Sequence, residues 1–187
     1  MSKFTGGYIK LSIDDDYRWV LMVAGIVAFE CIMMGFIIGG RKRRSYFSAE
    51  ALANSEFAEE HKKEFKVDIP GGGYPDHGNG FYSRILSYEQ WYKFQIDQRI
   101  HKNFLETVTI VTFNICLLGL FWSQGALICG IVQAVGRLIY AIGYNISPNG
   151  RFVGFLMIFL SLLVLYGANL YYICSCLNSL PDKTTVA

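Results

Sequence analysis

A chain of 187 residues with 52% hydrophobic residues, 16% aromatic residues and a mean hydropathy of +0.30 is too apolar for an ordinary water-soluble domain and suits a small membrane protein. Its formal net charge of +2 gives no general attraction to nucleic acid, and no basic patch with interleaved aromatics accompanies it.

An apolar stretch of about 20 residues crosses a bilayer as a helix. Four such stretches occur, roughly 19–40, 105–122, 125–144 and 152–177. The expected fold is all-α: a polytopic bundle of four transmembrane helices, with 1–187 forming one domain. The first stretch is too long for a signal-peptide core. It is followed by Arg41-Lys42-Arg43-Arg44 in place of a small-residue cleavage site, so it reads as a retained span. Gly35 with Gly39, and Gly150 with Gly154, are small-residue pairs that let helix backbones approach.

The connection 41–104 holds 11 of the 17 Lys and Arg residues, whereas Asp14-Asp15-Asp16 precedes the first span. The positive-inside rule places that connection on the cytoplasmic side, or on the matrix side of an inner mitochondrial membrane. Both ends of the chain and a tight turn at Ser123-Gln124 then lie opposite. Within the connection, 48–66 has helix-forming composition, with Glu59 and Lys63 one turn apart. Leu52, Phe57 and Phe65 are too few for a full apolar face, and a short surface helix and a solvated connector both fit. The run from Pro70 through Gly71, Gly72, Gly73 and Pro75 to Gly80 is loop chemistry and lacks the Gly-Lys-Ser or Gly-Lys-Thr of a phosphate loop.

Two polar stripes interrupt the apolar segments. Arg99, Asn103 and Glu106 lie at i, i+4 and i+7 where the second span begins, on one helix face. Arg137, Tyr140 and Tyr144 lie at i, i+3 and i+7 towards the end of the third. Polar groups in or beside membrane helices are costly and mark function. Counting spans brings both stripes, the Arg41 cluster and Arg151 to the same membrane face. The three histidines are scattered without metal-ligand spacing, and Cys31, Cys116 and Cys129 read as small apolar residues within spans.

The converging groups are several guanidiniums, one carboxylate, one carboxamide and two phenols. Guanidiniums grip carboxylates, a carboxylate suits an ammonium, and Asn both donates and accepts. The set fits a small zwitterion rich in carboxylates. It supplies no nucleophile of its own, so a reactive atom has to come from a cosubstrate.

The pattern Phe94, Gln98-Arg99, His101, Asn103, Leu105-Glu106, then Gly136-Arg137, Tyr140 and Gly143-Tyr144, resembles the MAPEG superfamily of membrane proteins of eicosanoid and glutathione metabolism, most of all its microsomal glutathione S-transferase 3 branch. The detailed match covers 88–151. The resemblance implies a homotrimer of four-helix subunits binding glutathione as cosubstrate between neighbouring subunits, without a metal. Arg99, Asn103 and Glu106 would hold the glutathione backbone, Tyr140 and Tyr144 would line the site, and Arg151 would activate the thiol. Arg43 or Arg44 would supply the first-span arginine, with Arg44 preferred, and Arg137 serves either the ligand or the structure. Gln95 and Lys102 depart from the pattern, as does an extension of roughly 25 residues before the first motif.

Two functions suit this resemblance. One is a transferase or peroxidase acting on lipophilic electrophiles or lipid hydroperoxides in the endoplasmic reticulum or a mitochondrial membrane. The other is a non-catalytic subunit or scaffold of a larger membrane assembly.

Overall fold

The computed structural model describes residues 14–178. The two ends, 1–13 and 179–187, to which the charge pattern assigns a membrane side, lie outside the described residues. Six helices follow one another: α1 (Tyr17–Tyr46), α2 (Ala49–Ala53), α3 (Ala58–Phe65), α4 (Tyr88–Gly119), α5 (Ser123–Ile146) and α6 (Phe152–Asn178). No strand occurs among the described residues. The four long helices pack antiparallel. At one end Tyr17 Oη donates to Cys116 O (3.3 Å), and at the other Lys42 Nζ meets Asp97 Oδ2 (3.0 Å), so α1 and α4 run in opposite directions. Val20, Val27, Val111, Ile115, Leu118, Ala126 and Leu165 fill the core between them.

Three of these helices, α1, α5 and α6, are long and apolar enough to cross a membrane. Phe29, Phe113, Leu160 and Leu170 lie exposed on the bundle's outer surface, an arrangement that costs free energy in water and none in lipid. The α4 helix is longer and more polar than the expected 105–122. It begins at Tyr88, where Ser87 and Gln90 form a capping box, and it runs for 32 residues, about 48 Å. A hydrocarbon core is only about 30 Å thick, so the first half of α4 extends beyond the apolar bundle on the basic side. The turn expected at Ser123-Gln124 falls at residues 120–122 instead, because Ser123 is already the first residue of α5 and its hydroxyl donates back to Gly119 O (3.0 Å).

Gly154 allows the closest helix contact. A Cβ there would run into the backbone of Tyr140 and Gly136, so glycine lets α6 lie directly on α5 at the second stripe. Gly35 and Gly39 behave differently. They bound a π-helical turn in α1, and they make room for side chains of α4: a Cβ on Gly35 would stand 2.8 Å from His101 Nε2.

The first connection carries the short helices α2 and α3 within 48–66, and α3 has no buried residue, as a short surface helix would. The connection forms a cap with its own small core of Phe47, Leu52, Phe57, Ile69 and Phe94. Leu52 and Phe57 are buried against residues from α1 and α4, while Phe65 is exposed. The Phe47 and Phe94 rings meet edge to face at 5.4 Å. Arg43 staples the cap to α1. Its Nη1 donates to Gly72 O (2.9 Å) and Asp76 O (2.8 Å), and its guanidinium lies over Tyr74 (4.5 Å) and Phe94 (5.3 Å). Asp76 in turn accepts backbone N–H bonds from Gly78 (2.7 Å) and Gly80 (2.8 Å) on Oδ1 and from Ser83 (3.0 Å) on Oδ2. Burial pushes the Asp76 carboxyl up, but these donors and the Tyr82 N–H outweigh it and hold the group below the usual carboxylate range.

Candidate functional site

The basic end of the bundle gathers the close of α1, the first half of α4, the end of α5 and the turn into α6. Here the two polar stripes meet. Arg137 is buried on α5, and its Nη1 donates to Asn103 Oδ1 (2.8 Å) and to Asn103 O (3.4 Å) on α4. Its Nη2 donates to Thr107 Oγ1, and the guanidinium lies over the Phe104 ring at 4.5 Å. Two of Arg137's guanidinium nitrogens are thus engaged within the chain, while its Nε has no partner. Asn103 keeps its Nδ2 group available after its carbonyl oxygen is taken.

One member of this cluster was not singled out from the sequence. Glu30, midway along α1, has both carboxylate oxygens buried without a hydrogen-bond partner and attracts the Arg137 guanidinium, whose own Nε is likewise unpartnered. An acidic residue inside an apolar run was a readable signal. Its placement opposite Arg137 was not, because no spacing links two helices that are more than a hundred residues apart. Glu30 also borders an apolar cleft of about 530 Å³ with Met33, Met34, Leu138 and Ile142.

The second stripe continues as a stack of rings. Tyr140 is buried and meets Tyr144 edge to face at 5.8 Å, and Arg151 lies over the Tyr144 ring at 4.5 Å. Arg151 is exposed and borders a cavity of about 590 Å³ with Asn149 and Phe155. Arg99 and Glu106 are exposed on α4 and make no ion pair or side-chain hydrogen bond among the described residues. Arg44 is exposed at the junction of α1 and the cap, while the neighbouring Arg43 is consumed by that junction. The structure thus brings together Asn103 with Arg137, and Tyr140 with Tyr144 and Arg151. It leaves Arg99, Glu106 and Arg44 facing outward from the single chain.

Between α1 and α4, a second cleft of about 400 Å³ is bordered by Gly39, Arg43, Tyr74, Gln98 and His101. The π-helical turn exposes α1 backbone to this cleft, a feature often found at functional sites. No group of three or more His, Cys, Asp or Glu able to hold a metal occurs among the described residues.

A sequence model of one family, described as the MAPEG family, matches residues 20–171. The chain belongs to the MAPEG family. The match takes in most of α1 and α6, all of α4 and α5, and the cap between α1 and α4. MAPEG proteins are membrane-associated, include glutathione transferases and peroxidases, and use glutathione. No curated protein sequence matches the chain. Among the described residues Arg99, Arg44, Arg151 and Glu106 form no ion pair.

Proposed function

We propose that this protein is a membrane-bound glutathione transferase or peroxidase, most like microsomal glutathione S-transferase 3, working on lipophilic electrophiles or lipid hydroperoxides. The observation that carries the reading is the junction of the two stripes. Arg137 locks Asn103 beside Tyr140 and Tyr144, while Arg99 and Glu106 stand unpaired on the adjoining outer face. Glu106 lies in the second half of α4, within the bundle, where an unpaired charge on the outside is costly, and a site shared with a neighbouring protomer removes that cost. A homotrimer with glutathione between protomers meets this need, with α4 crossing the membrane as the fourth span and the Arg41 cluster on the cytoplasmic or matrix side.

The residues divide the work by charge. Arg99 and Arg44 take the glutathione carboxylates, Glu106 takes the ammonium, Asn103 bonds the peptide backbone, and Tyr140 and Tyr144 line the thiol end. Arg151 stabilises the thiolate formed when the thiol proton leaves to water, and a thiolate is the competent nucleophile. In transfer, sulfur bonds to the electrophilic carbon and the displaced group departs with the electron pair. In peroxide reduction, two glutathiones become the disulfide while the hydroperoxide becomes an alcohol and water. A site at the lipid boundary meets apolar substrates already concentrated in the bilayer. Endoplasmic reticulum and mitochondrial membranes both supply such substrates.

The test is turnover by the purified protein in detergent with a lipophilic electrophile and with a lipid hydroperoxide. Either activity, lost in Arg99→Ala, supports the reading. A second reading, a non-catalytic subunit of a larger membrane complex, is favoured by the cap, which is a folded module with exposed aromatic side chains. It predicts no thiol turnover and a stably copurifying partner.

A further inference from the structure

A cavity of about 460 Å³ opens on the cap, well apart in sequence from either polar stripe. Its walls include Phe57, His61, Phe65 and Phe81, arranged as two ring pairs: Phe57 against Phe81 at 5.0 Å and 72°, and His61 against Phe65 at 4.8 Å. The volume suits a small ligand. The walls are held in place, since Tyr82 Oη hydrogen-bonds His61 Nδ1 (3.3 Å) and the adjoining loop hangs on Asp76. Phe65 and Phe81 remain 67% and 57% exposed at its mouth, although Phe57 beside them is buried.

Charge defines what the cavity accepts. Glu60 and Glu64 line it one helical turn apart on α3, a like-charged pair that disfavours its own helix. Neither carboxylate is paired among the described residues, while the neighbouring Lys62 is spent on Asp68 (3.0 Å). Aromatic faces attract cations, and the Phe81 ring already carries the Arg84 guanidinium at 4.4 Å, with Arg84 outside the cavity lining. The Asp76 oxygens add negative charge but are taken by backbone N–H groups, so the cavity offers field and aromatic surface more than free acceptors.

We propose that this cavity binds a quaternary ammonium group, which needs aromatic faces and nearby negative charge and no hydrogen-bond acceptor. Its source is either a free choline-like ion or the choline headgroup of a lipid. The proposal does not depend on glutathione binding.

The test is calorimetric titration of the full-length protein, in a detergent without choline, with tetramethylammonium, choline and dimethylbutanol, the neutral carbon isostere of choline. The expected result is saturable binding of both cations and none of the alcohol. Phe81→Leu, at an exposed position that leaves the cap core intact, should weaken binding about three- to tenfold. Glu60→Gln with Glu64→Gln should also weaken it, and Arg84→Ala should not. Nanodiscs of phosphatidylcholine that block choline binding, where phosphatidylethanolamine nanodiscs do not, identify the lipid headgroup as the source, and choline binding unchanged in both identifies the free ion. Equal affinity for the alcohol, no saturable binding of either cation, or unchanged affinity in Phe81→Leu would overturn the proposal.

Discussion

Arg137 Nη1 lies 2.8 Å from Asn103 Oδ1, and this bond ties the two polar stripes together across α4 and α5. Arg137 is buried and faces the charge of Glu30 on a third helix, so three helices converge on one guanidinium. Each hydrogen bond to a charged group contributes about 1.5–3 kcal/mol, and replacing Arg137 gives up those to Asn103 and Thr107. Arg137→Leu is therefore expected to destabilise the bundle severely. Glu30→Leu combined with Arg137→Leu should recover part of the loss. Thermal unfolding in detergent measures both, and a double variant as unstable as the sum of the single variants would show that Glu30 and Arg137 are not coupled.

Glutathione affinity should separate the outward-facing charge from the structural amide. In the proposed site Arg99→Ala would remove a charged contact to a glutathione carboxylate, and should weaken binding by about 2–5 kcal/mol. Asn103→Ala removes one neutral group and should cost about 0.5–1.5 kcal/mol, with an added loss of stability because Arg137 loses an acceptor. Titration calorimetry with glutathione checks both. Unchanged affinity in a folded Arg99→Ala protein would favour the non-catalytic reading.

Arg151 is assigned to chemistry and not to holding the ligand. Arg151→Ala should leave most of the glutathione affinity and reduce turnover near neutral pH. Turnover should return as pH rises past the ordinary thiol pKa of about 8.5, where the thiol ionises unaided. Thiolate absorbance of bound glutathione against pH decides the point. Superimposable titrations in the two proteins would pass the role to Arg44 or Tyr140 and leave Arg151 as the cation resting on Tyr144.

The cap should loosen in acid. The Asp76 carboxyl is depressed in the folded protein, so its contribution is complete above the unfolded value of about 3.9 and is lost as pH falls through the folded value. Protection factors of the Gly78, Gly80 and Ser83 amides, corrected for intrinsic exchange, should fall below about pH 4, before the α4–α5 bundle opens. In Asp76→Asn these amides should exchange faster at neutral pH and show less change on acidification. Equal protection of the three amides at neutral pH in both proteins would contradict the anchoring role.

The stripes were legible because each lies within one helix, where a 3.6-residue period is visible in one dimension. Arg99, Asn103 and Glu106 do share α4, and Arg137, Tyr140 and Tyr144 share α5. The α4 start was also readable, since Ser87 and Gln90 spell a capping box, but the polar composition of 88–104 hid it from an apolar-window reading. The cap core was not legible. Phe47, Leu52, Phe57, Ile69 and Phe94 each stand alone in a polar context, and only the folded chain assembles them. The same reason hid the separation of Arg43 from Arg44. Adjacent residues on a helix point about 100° apart, and one is buried under Tyr74 while the other is free.

The central claim is a glutathione site completed by a neighbouring protomer, and one measurement addresses both halves. Native mass spectrometry of the purified protein released from detergent, with and without glutathione, reads stoichiometry and occupancy together. A trimer that takes up to three glutathiones, and that loses them in Arg99→Ala while remaining a trimer, is the predicted result. A monomer that takes up no glutathione under the same conditions would contradict it.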